Sequence, residues 1–127
     1  MKLRISGNSV RLRVRRSELA KLMAGERVAE TVHMGSGDAA ALTYALLTEA
    51  GSTGVRLRYE RSEIVVLLPQ EEANVWAATD QVGIYASIDV NPHGSLEVIV
   101  EKDFACLDLS DAENVDTFPN PELGAAC

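Results

Sequence analysis

The chain contains short segments in which apolar and polar residues alternate, and this period of two predicts β-strands with one buried face. Two other segments have helical character. The first begins at Ser17, whose hydroxyl is a common helix cap, and ends at Gly25. The second begins at or near Pro69, because proline fits the first helical turn. The predicted strands cover residues 2–5, 10–15, 28–34, 41–47, 55–59, 63–68, 82–90 and 95–102.

The same apolar pattern recurs after 54 residues without a gap, which predicts an internal duplication. Leu3 falls on Leu57, for example, and Leu42 falls on Leu96. Only six of the first fifty positions are identical at this offset, so the prediction depends on the order and spacing of apolar residues. Each copy has the order strand, strand, helix, strand, strand.

We therefore expect an internally duplicated α+β domain over residues 1–104, with repeats at 1–50 and 55–104. Its eight mainly antiparallel strands are expected to form a barrel, a half-barrel or a curved sheet with two short helices. Closure is favoured because it removes exposed strand edges. Residues 105–127 are predicted to be an acidic C-terminal tail that has little to bury and is extended or partly mobile.

Three stretches of the sequence resemble a known family. They are MKLRISGNSVRLR at residues 1–13, EKDFACL at 101–107 and FPNP at 118–121. They are similar to the corresponding parts of a family of small bacterial proteins, a domain of unknown function. The likeness covers nearly the whole chain and implies a bacterial, non-secreted protein with one intact domain. It implies no activity, substrate or cofactor.

The amino-acid composition indicates what class of protein this is. Of the 127 residues, 46% are hydrophobic and 24% are charged, as expected for one soluble domain. No apolar run is long enough to span a membrane and the first residues lack a secretory signal, so we expect a cytoplasmic protein with no membrane partner. A net charge of −7 and only six aromatic residues argue against a nucleic-acid partner.

The charge is unevenly distributed along the chain. Residues 1–61 carry 11 of the 12 basic side chains, whereas residues 62–127 carry 13 of the 19 acidic ones. The first half can therefore attract anions locally, or attract the acidic end of the same chain.

An arginine-rich strand face is the main candidate site, and its members are Arg4, Arg11, Arg13, Arg15, Arg56 and Arg58. The period of two places the arginines of the second strand on one face, and hairpin pairing brings Arg4 beside them. Guanidinium groups bind phosphate and carboxylate bidentately, so this face is a candidate anion site. Two alternatives stay open. Acidic residues of neighbouring strands neutralise the arginines, or the acidic tail covers them.

Cys106, Cys127 and His33 are candidate metal ligands, because the thiol of Cys127 neighbours the carboxylate of the last residue and the pair can chelate a soft metal ion. A disulfide between the two cysteines and two unreactive thiols are the alternatives. Acidic residues on one side of the last strand are a further candidate for metal or acid–base chemistry. These residues are Glu97, Glu101 and Asp103.

The sequence contains no serine-histidine-aspartate order, phosphate-binding loop or metalloprotease motif. We therefore expect a non-enzymatic protein that binds a partner protein or a small anion through the arginine-rich face. The alternative is a metal-handling protein, or a metal- or phosphate-dependent enzyme, that uses the cysteines or the three carboxylates. No cofactor and no oligomeric state is indicated. We expect Trp76, Leu22 and Met23 to be core residues.

Overall fold

The computed structural model describes residues 1–105 and 114–119, and it has an α+β fold of eight strands and two helices. The elements follow the predicted order. They are β1 (Lys2–Ser6), β2 (Ser9–Val14), α1 (Arg16–Met23), β3 (Val28–His33), β4 (Ala41–Glu49), β5 (Arg56–Glu60), β6 (Glu63–Pro69), α2 (Gln70–Ala78), β7 (Gly83–Asp89) and β8 (Ser95–Lys102). No helix in the described part of the chain is long and apolar enough to cross a membrane.

The strands form two separate four-stranded sheets, which we call the first sheet (β1-β2-β8-β7) and the second sheet (β3-β4-β6-β5). The outer pairs of each sheet are antiparallel hairpins, whereas the central pairs β2·β8 and β4·β6 are parallel. The expected barrel is therefore wrong for the described residues. Each helix carries the chain from one sheet to the other, so the strand before the helix and the strand after it cannot pair to continue one closed sheet.

The two sheets have equivalent strand orders and nearly equivalent registers. Lys2 pairs with Arg13 in the first sheet, and the residues 54 positions later, Arg56 and Leu67, pair in the second. The central pairs also correspond at this offset, because Ser9 pairs with Glu97 and Glu63 pairs with Thr43. The remaining two pairings, β3·β4 and β7·β8, do not correspond at this offset, because their registers differ by two residues.

One buried cluster joins the inward sides of both sheets to the two helices. Leu12 and Val100 contribute from the first sheet, and Leu46 and Val66 contribute from the second. Trp76 of α2 is fully buried in this cluster, and its Nε1 donates a hydrogen bond to Val82 O (3.1 Å). Leu22 is also fully buried and Met23 packs against the cluster, so all three predicted core residues are confirmed.

The predicted cap of α1 is wrong, because Ser17 lies inside the helix and Arg15 is the N-cap. Glu18 Oε1 accepts a hydrogen bond from Arg15 N (2.9 Å), and Asp116 satisfies the next free donors. Arg16 N donates to Asp116 O (3.0 Å), Ser17 N donates to Oδ1 (3.0 Å), and the Ser17 hydroxyl also contacts this carboxylate. A residue 99 positions away therefore caps the helix.

Residues 114–119, which fall within the predicted tail, pack against the end of the first sheet. Phe118 N donates to Asp103 O (2.8 Å), and Ala105 N donates to Phe118 O (2.6 Å). The Phe118 ring meets the Phe104 ring edge-to-face at 6.1 Å and packs against the core cluster. The expectation that the tail buries little is therefore wrong for this segment.

Gly83 provides a test of the close approach between β7 and β8. A Cβ atom at Gly83 would lie 2.6 Å from Val100 O and 2.8 Å from Glu101 Cγ. We predict that Gly83→Ala lowers the free energy of unfolding by about 1–3 kcal/mol, as overpacking does, measured from urea denaturation. The control is Gly54→Ala, because a Cβ there meets nothing within 4 Å. Equal stability of the two variants would contradict the close approach.

Candidate functional site

The outward side of the first sheet carries the basic residues of β1 and β2 in two facing pairs. Arg4 lies directly opposite Arg11, and Lys2 lies directly opposite Arg13. The inward positions between them are apolar, with Val10, Leu12 and Val14 all buried. Because side chains alternate along a strand, Arg4, Arg11 and Arg13 all point outward on one side of the sheet, as the sequence pattern predicts.

Strand β8 brings carboxylates next to part of this basic surface. Glu101 Oε1 lies 3.2 Å from Arg11 Nε, and Asp103 Oδ2 lies 3.3 Å from Lys2 Nζ. The Tyr85 hydroxyl donates to Glu101 Oε2 (3.1 Å). Burial and this carboxylate both raise the pKa of Tyr85, so the phenol stays protonated and keeps donating. Arg4 and Arg13 make no ion pair among the described residues.

A depression of about 180 Å³ lies at the hairpin end of this surface, lined by Arg4, Ser6, Ser9 and Arg11. We call it the arginine-serine depression. Ser6 and Ser9 are paired in register, and Ser9 Oγ donates to Ser6 O (2.6 Å). No carboxylate of residues 1–105 or 114–119 lines this depression. The sequence analysis missed both serines, although the period of two places them on the same side as the arginines.

Arg15 is separated from the other arginines because it caps α1 rather than continuing β2. Its Nε atom is buried and makes no hydrogen bond. Asp116 lies close to this end of the helix, and hydrogen bonds from Ser17 lower the pKa of Asp116, with a smaller effect from Arg15 and Arg16. One acidic residue of the predicted tail therefore lies near the arginines, at the helix end of the sheet.

Arg56 and Arg58 lie on the outward side of the second sheet, so the structure divides the predicted arginine face in two. Arg56 binds Glu49 through two nitrogens, with Nε 3.0 Å from Oε1 and Nη2 2.5 Å from Oε2. These hydrogen bonds lower the pKa of Glu49 and raise that of Arg56. Arg58 lines a second depression, of about 310 Å³, together with Glu60, Arg61, Glu63 and Val65.

The predicted metal ligands are not brought together within the described residues. His33 is exposed at the end of β3, whereas Cys106 and Cys127 lie outside the described residues. No group of three or more histidine, cysteine, aspartate or glutamate side chains able to hold a metal ion occurs in residues 1–105 and 114–119. Glu97 and Glu101 share the outward side of β8, but each contacts a different neighbour.

Two buried polar groups lie away from both depressions. Lys102 is only 6% exposed, donates to Thr79 O (2.7 Å) and lies 5.5 Å from the centre of the Phe118 ring. Burial lowers the pKa of Lys102, and Asp80 acts in the opposite direction. The Tyr44 hydroxyl donates to Glu30 Oε2 (2.9 Å), and burial together with this carboxylate raises the pKa of Tyr44 to about 12.

The Asp116 cap makes stability depend on pH. Because folding lowers the pKa of this carboxyl, its contribution is present above the unfolded pKa and is lost as the pH falls through the folded pKa. We predict that Asp116→Ala lowers the free energy of unfolding by about 1 kcal/mol at neutral pH, the usual effect of losing a helix cap. The difference from the unsubstituted protein should shrink when urea denaturation is repeated in acid.

The exposed Asp38, which makes no hydrogen bond or ion pair within the part of the chain that the structure describes, provides the control as Asp38→Ala. A loss of stability from Asp116→Ala that stays constant from neutral to acid pH would mean that the charge of the carboxylate does not matter.

Comparison with known proteins identifies a family. No curated protein and no solved structure matches the chain. The sequence model of DUF7009, a family of unknown function, matches residues 1–122. The matched range contains both sheets, both helices and the packed segment at 114–119. This confirms the resemblance to a domain of unknown function, and the chain belongs to the DUF7009 family.

Proposed function

We propose that the protein binds a small oxyanion, such as inorganic phosphate, in the arginine-serine depression. The observation that carries this proposal is the direct pairing of Arg4 with Arg11 in a depression that no carboxylate of the described part of the chain lines. Side chains directly opposite each other on antiparallel strands are close enough to interact, and like charges in that position destabilise the sheet. An oxyanion between the two guanidinium groups turns this repulsion into attraction.

The chemistry of the depression matches an oxyanion in both charge and hydrogen bonding. Each guanidinium presents several donors in a planar fork, and the Ser6 hydroxyl adds one more, whereas the Ser9 hydroxyl already donates to Ser6 O. The contact between Arg11 and Glu101 uses Nε, and the terminal nitrogens of Arg11 make no ion pair among the described residues. Tetrahedral phosphate or sulfate can therefore accept hydrogen bonds from both arginines and from Ser6 at once.

Carboxylates on β8 and directly after it limit the affinity of this site for an anion. Glu101 and Asp103 neutralise Arg11 and Lys2, so the excess of positive charge rests mainly on Arg4 and Arg13. The depression is also open to solvent, where salt screens charged contacts. We therefore propose weak binding, with a dissociation constant of about 1 mM, which corresponds to a binding free energy of about −4 kcal/mol.

The internal duplication belongs to the same proposal. The equivalent strand orders, and the offset of 54 residues that relates two of the three strand pairings, support descent of the two halves from one ββαββ unit. On this account the arginine-serine depression and the depression at Arg58 are divergent copies of one ancestral position. Arg4 corresponds to Arg58, while Ser6 and Ser9 correspond to Glu60 and Glu63.

Phosphate titration monitored by ¹H–¹⁵N NMR tests the proposal. We predict saturable shifts of the amide signals of residues 4–11 at low ionic strength, because this hairpin lines the depression. Arg4→Gln should weaken the binding about tenfold, since a hydrogen bond to a charged group contributes about 1.5–3 kcal/mol. Added sodium chloride should weaken it further.

Lys21→Gln is the matched control, because it removes one positive charge from an exposed position on α1. It should weaken phosphate binding much less than Arg4→Gln does, since Lys21 does not line the depression and can act on the ligand only through solvent-screened charge. Equal weakening by Arg4→Gln and Lys21→Gln, or no shifts in residues 4–11, would show that phosphate does not bind between the arginines.

A further inference from the structure

The depression at the β5–β6 hairpin differs chemically from the one proposed to bind phosphate. It is the larger of the two, at about 310 Å³ against about 180 Å³. It occupies the same register position, but carboxylates stand where the other depression has serines. Glu60 and Glu63 face each other directly across the two strands. A purely anionic ligand would therefore meet two negative charges.

The opposite charges around this depression do not neutralise one another by contact. Arg58, Arg61 and Glu60 make no ion pair within 4.0 Å among residues 1–105 and 114–119. Glu63 Oε2 lies 3.0 Å from Nη2 of Arg27, which does not line the depression. Two guanidinium groups and two carboxylates thus line one depression with their charges unpaired or only partly paired.

The depression has little apolar surface. Val65 lines it but is only 1% exposed, and this residue belongs to a small cluster with Ala45 and Leu67. Part of this cluster is covered by charged side chains that span the sheet. Arg56 on β5 reaches Glu49 on β4, and the strand between them, β6, carries Leu67. Charged groups therefore provide most of the surface that a ligand in the depression can contact.

The turn that positions Arg61 has an unfavourable backbone conformation. Arg61 and Ser62 both have positive φ angles, 49° and 60°, where hairpins usually contain asparagine and glycine. Such residues persist only when the surroundings hold them, and here Thr43 N donates to Ser62 O (3.0 Å). The corresponding turn of the first sheet uses Gly7 at its positive φ. The strained turn keeps Arg61 at the rim of the depression.

We infer that this depression binds a small zwitterion with a carboxylate and an ammonium group, the chemistry of a free amino acid. The carboxylate lies against Arg58 and Arg61, and the ammonium lies against Glu60 and Glu63. A ligand of either single charge satisfies only half of these groups. The site is independent of the phosphate site on the other sheet.

Three related compounds test this inference with the full chain, again by ¹H–¹⁵N NMR. L-Leucine carries both charges, N-acetyl-L-leucine lacks the ammonium and L-leucinamide lacks the carboxylate. We expect L-leucine to shift the amide signals of residues 58–65 in a saturable way, and the other two compounds to bind at least about tenfold more weakly, because each loses a charge-assisted contact.

Two variants locate the contacts. Glu60→Gln and Arg58→Gln should each weaken L-leucine binding about tenfold, since each removes one charged partner. Glu26→Gln is the matched control, because Glu26 is exposed and lies outside the depression. The amide spectrum reports in the same experiment whether each variant is folded. Glu60→Gln also removes the repulsion from Glu63, so it should fold well.

The inference is overturned if L-leucine at about 50 mM, well above a 1 mM dissociation constant, leaves the signals of residues 58–65 unchanged. It is also overturned if all three compounds shift those signals equally, or if Glu60→Gln and Glu26→Gln behave alike. Phosphate added to the same sample reports separately on residues 4–11. Failure of the zwitterion site is therefore distinguishable from failure of the phosphate site.

Discussion

The parallel pairing of β2 with β8 and of β4 with β6 is the constraint on which the rest of the structure depends. Parallel neighbours require a crossover connection, and here the helices carry the chain between the two sheets. Each sheet therefore combines strands from both halves of the chain. The inward side chains of both sheets and the helices can then share one core, which includes Leu12, Leu46 and Trp76.

This pairing also decides which charged groups become neighbours on the outward side of each sheet. It places Glu101 of β8, and Asp103 directly after β8, next to the basic strand β2. Part of the arginine surface is therefore neutralised within the sheet. Lys2, at the start of the edge strand β1, reaches Asp103, whereas Arg4 of the same strand makes no ion pair in the described residues. In our proposal this unpaired arginine is what attracts the anion.

Much of this architecture is predictable from the sequence, but strand partners are not. The alternation of Arg11, Leu12 and Arg13 fixes which side chains face the core, and the structure agrees. The same alternation is compatible with any neighbouring strand, so it cannot predict that β8 lies beside β2. One further signal was present, because residues 64–68 are continuously apolar, a pattern typical of an inner strand that is buried on both faces.

Some features of the candidate site likewise follow from local sequence patterns, whereas others depend on contacts between residues that are far apart in the chain. Ser6 and Ser9 follow from the hairpin pattern, whereas the cap of α1 by Asp116 depends on a contact across 99 residues that no local pattern contains. The split of the arginines between two sheets likewise follows from the crossovers. Local periodicity thus predicts faces and turns, and the tertiary pairing decides which charged groups meet.

The central claim is that an oxyanion binds between Arg4 and Arg11. A crystal structure grown with selenate, an oxyanion with an anomalous signal, tests it most directly. We predict an anomalous peak within hydrogen-bonding distance of both guanidinium groups and of Ser6 or Ser9. Crystals in which this depression is open to solvent and holds no selenate, with the Arg4 side chain paired to a carboxylate of the same chain, would contradict the account.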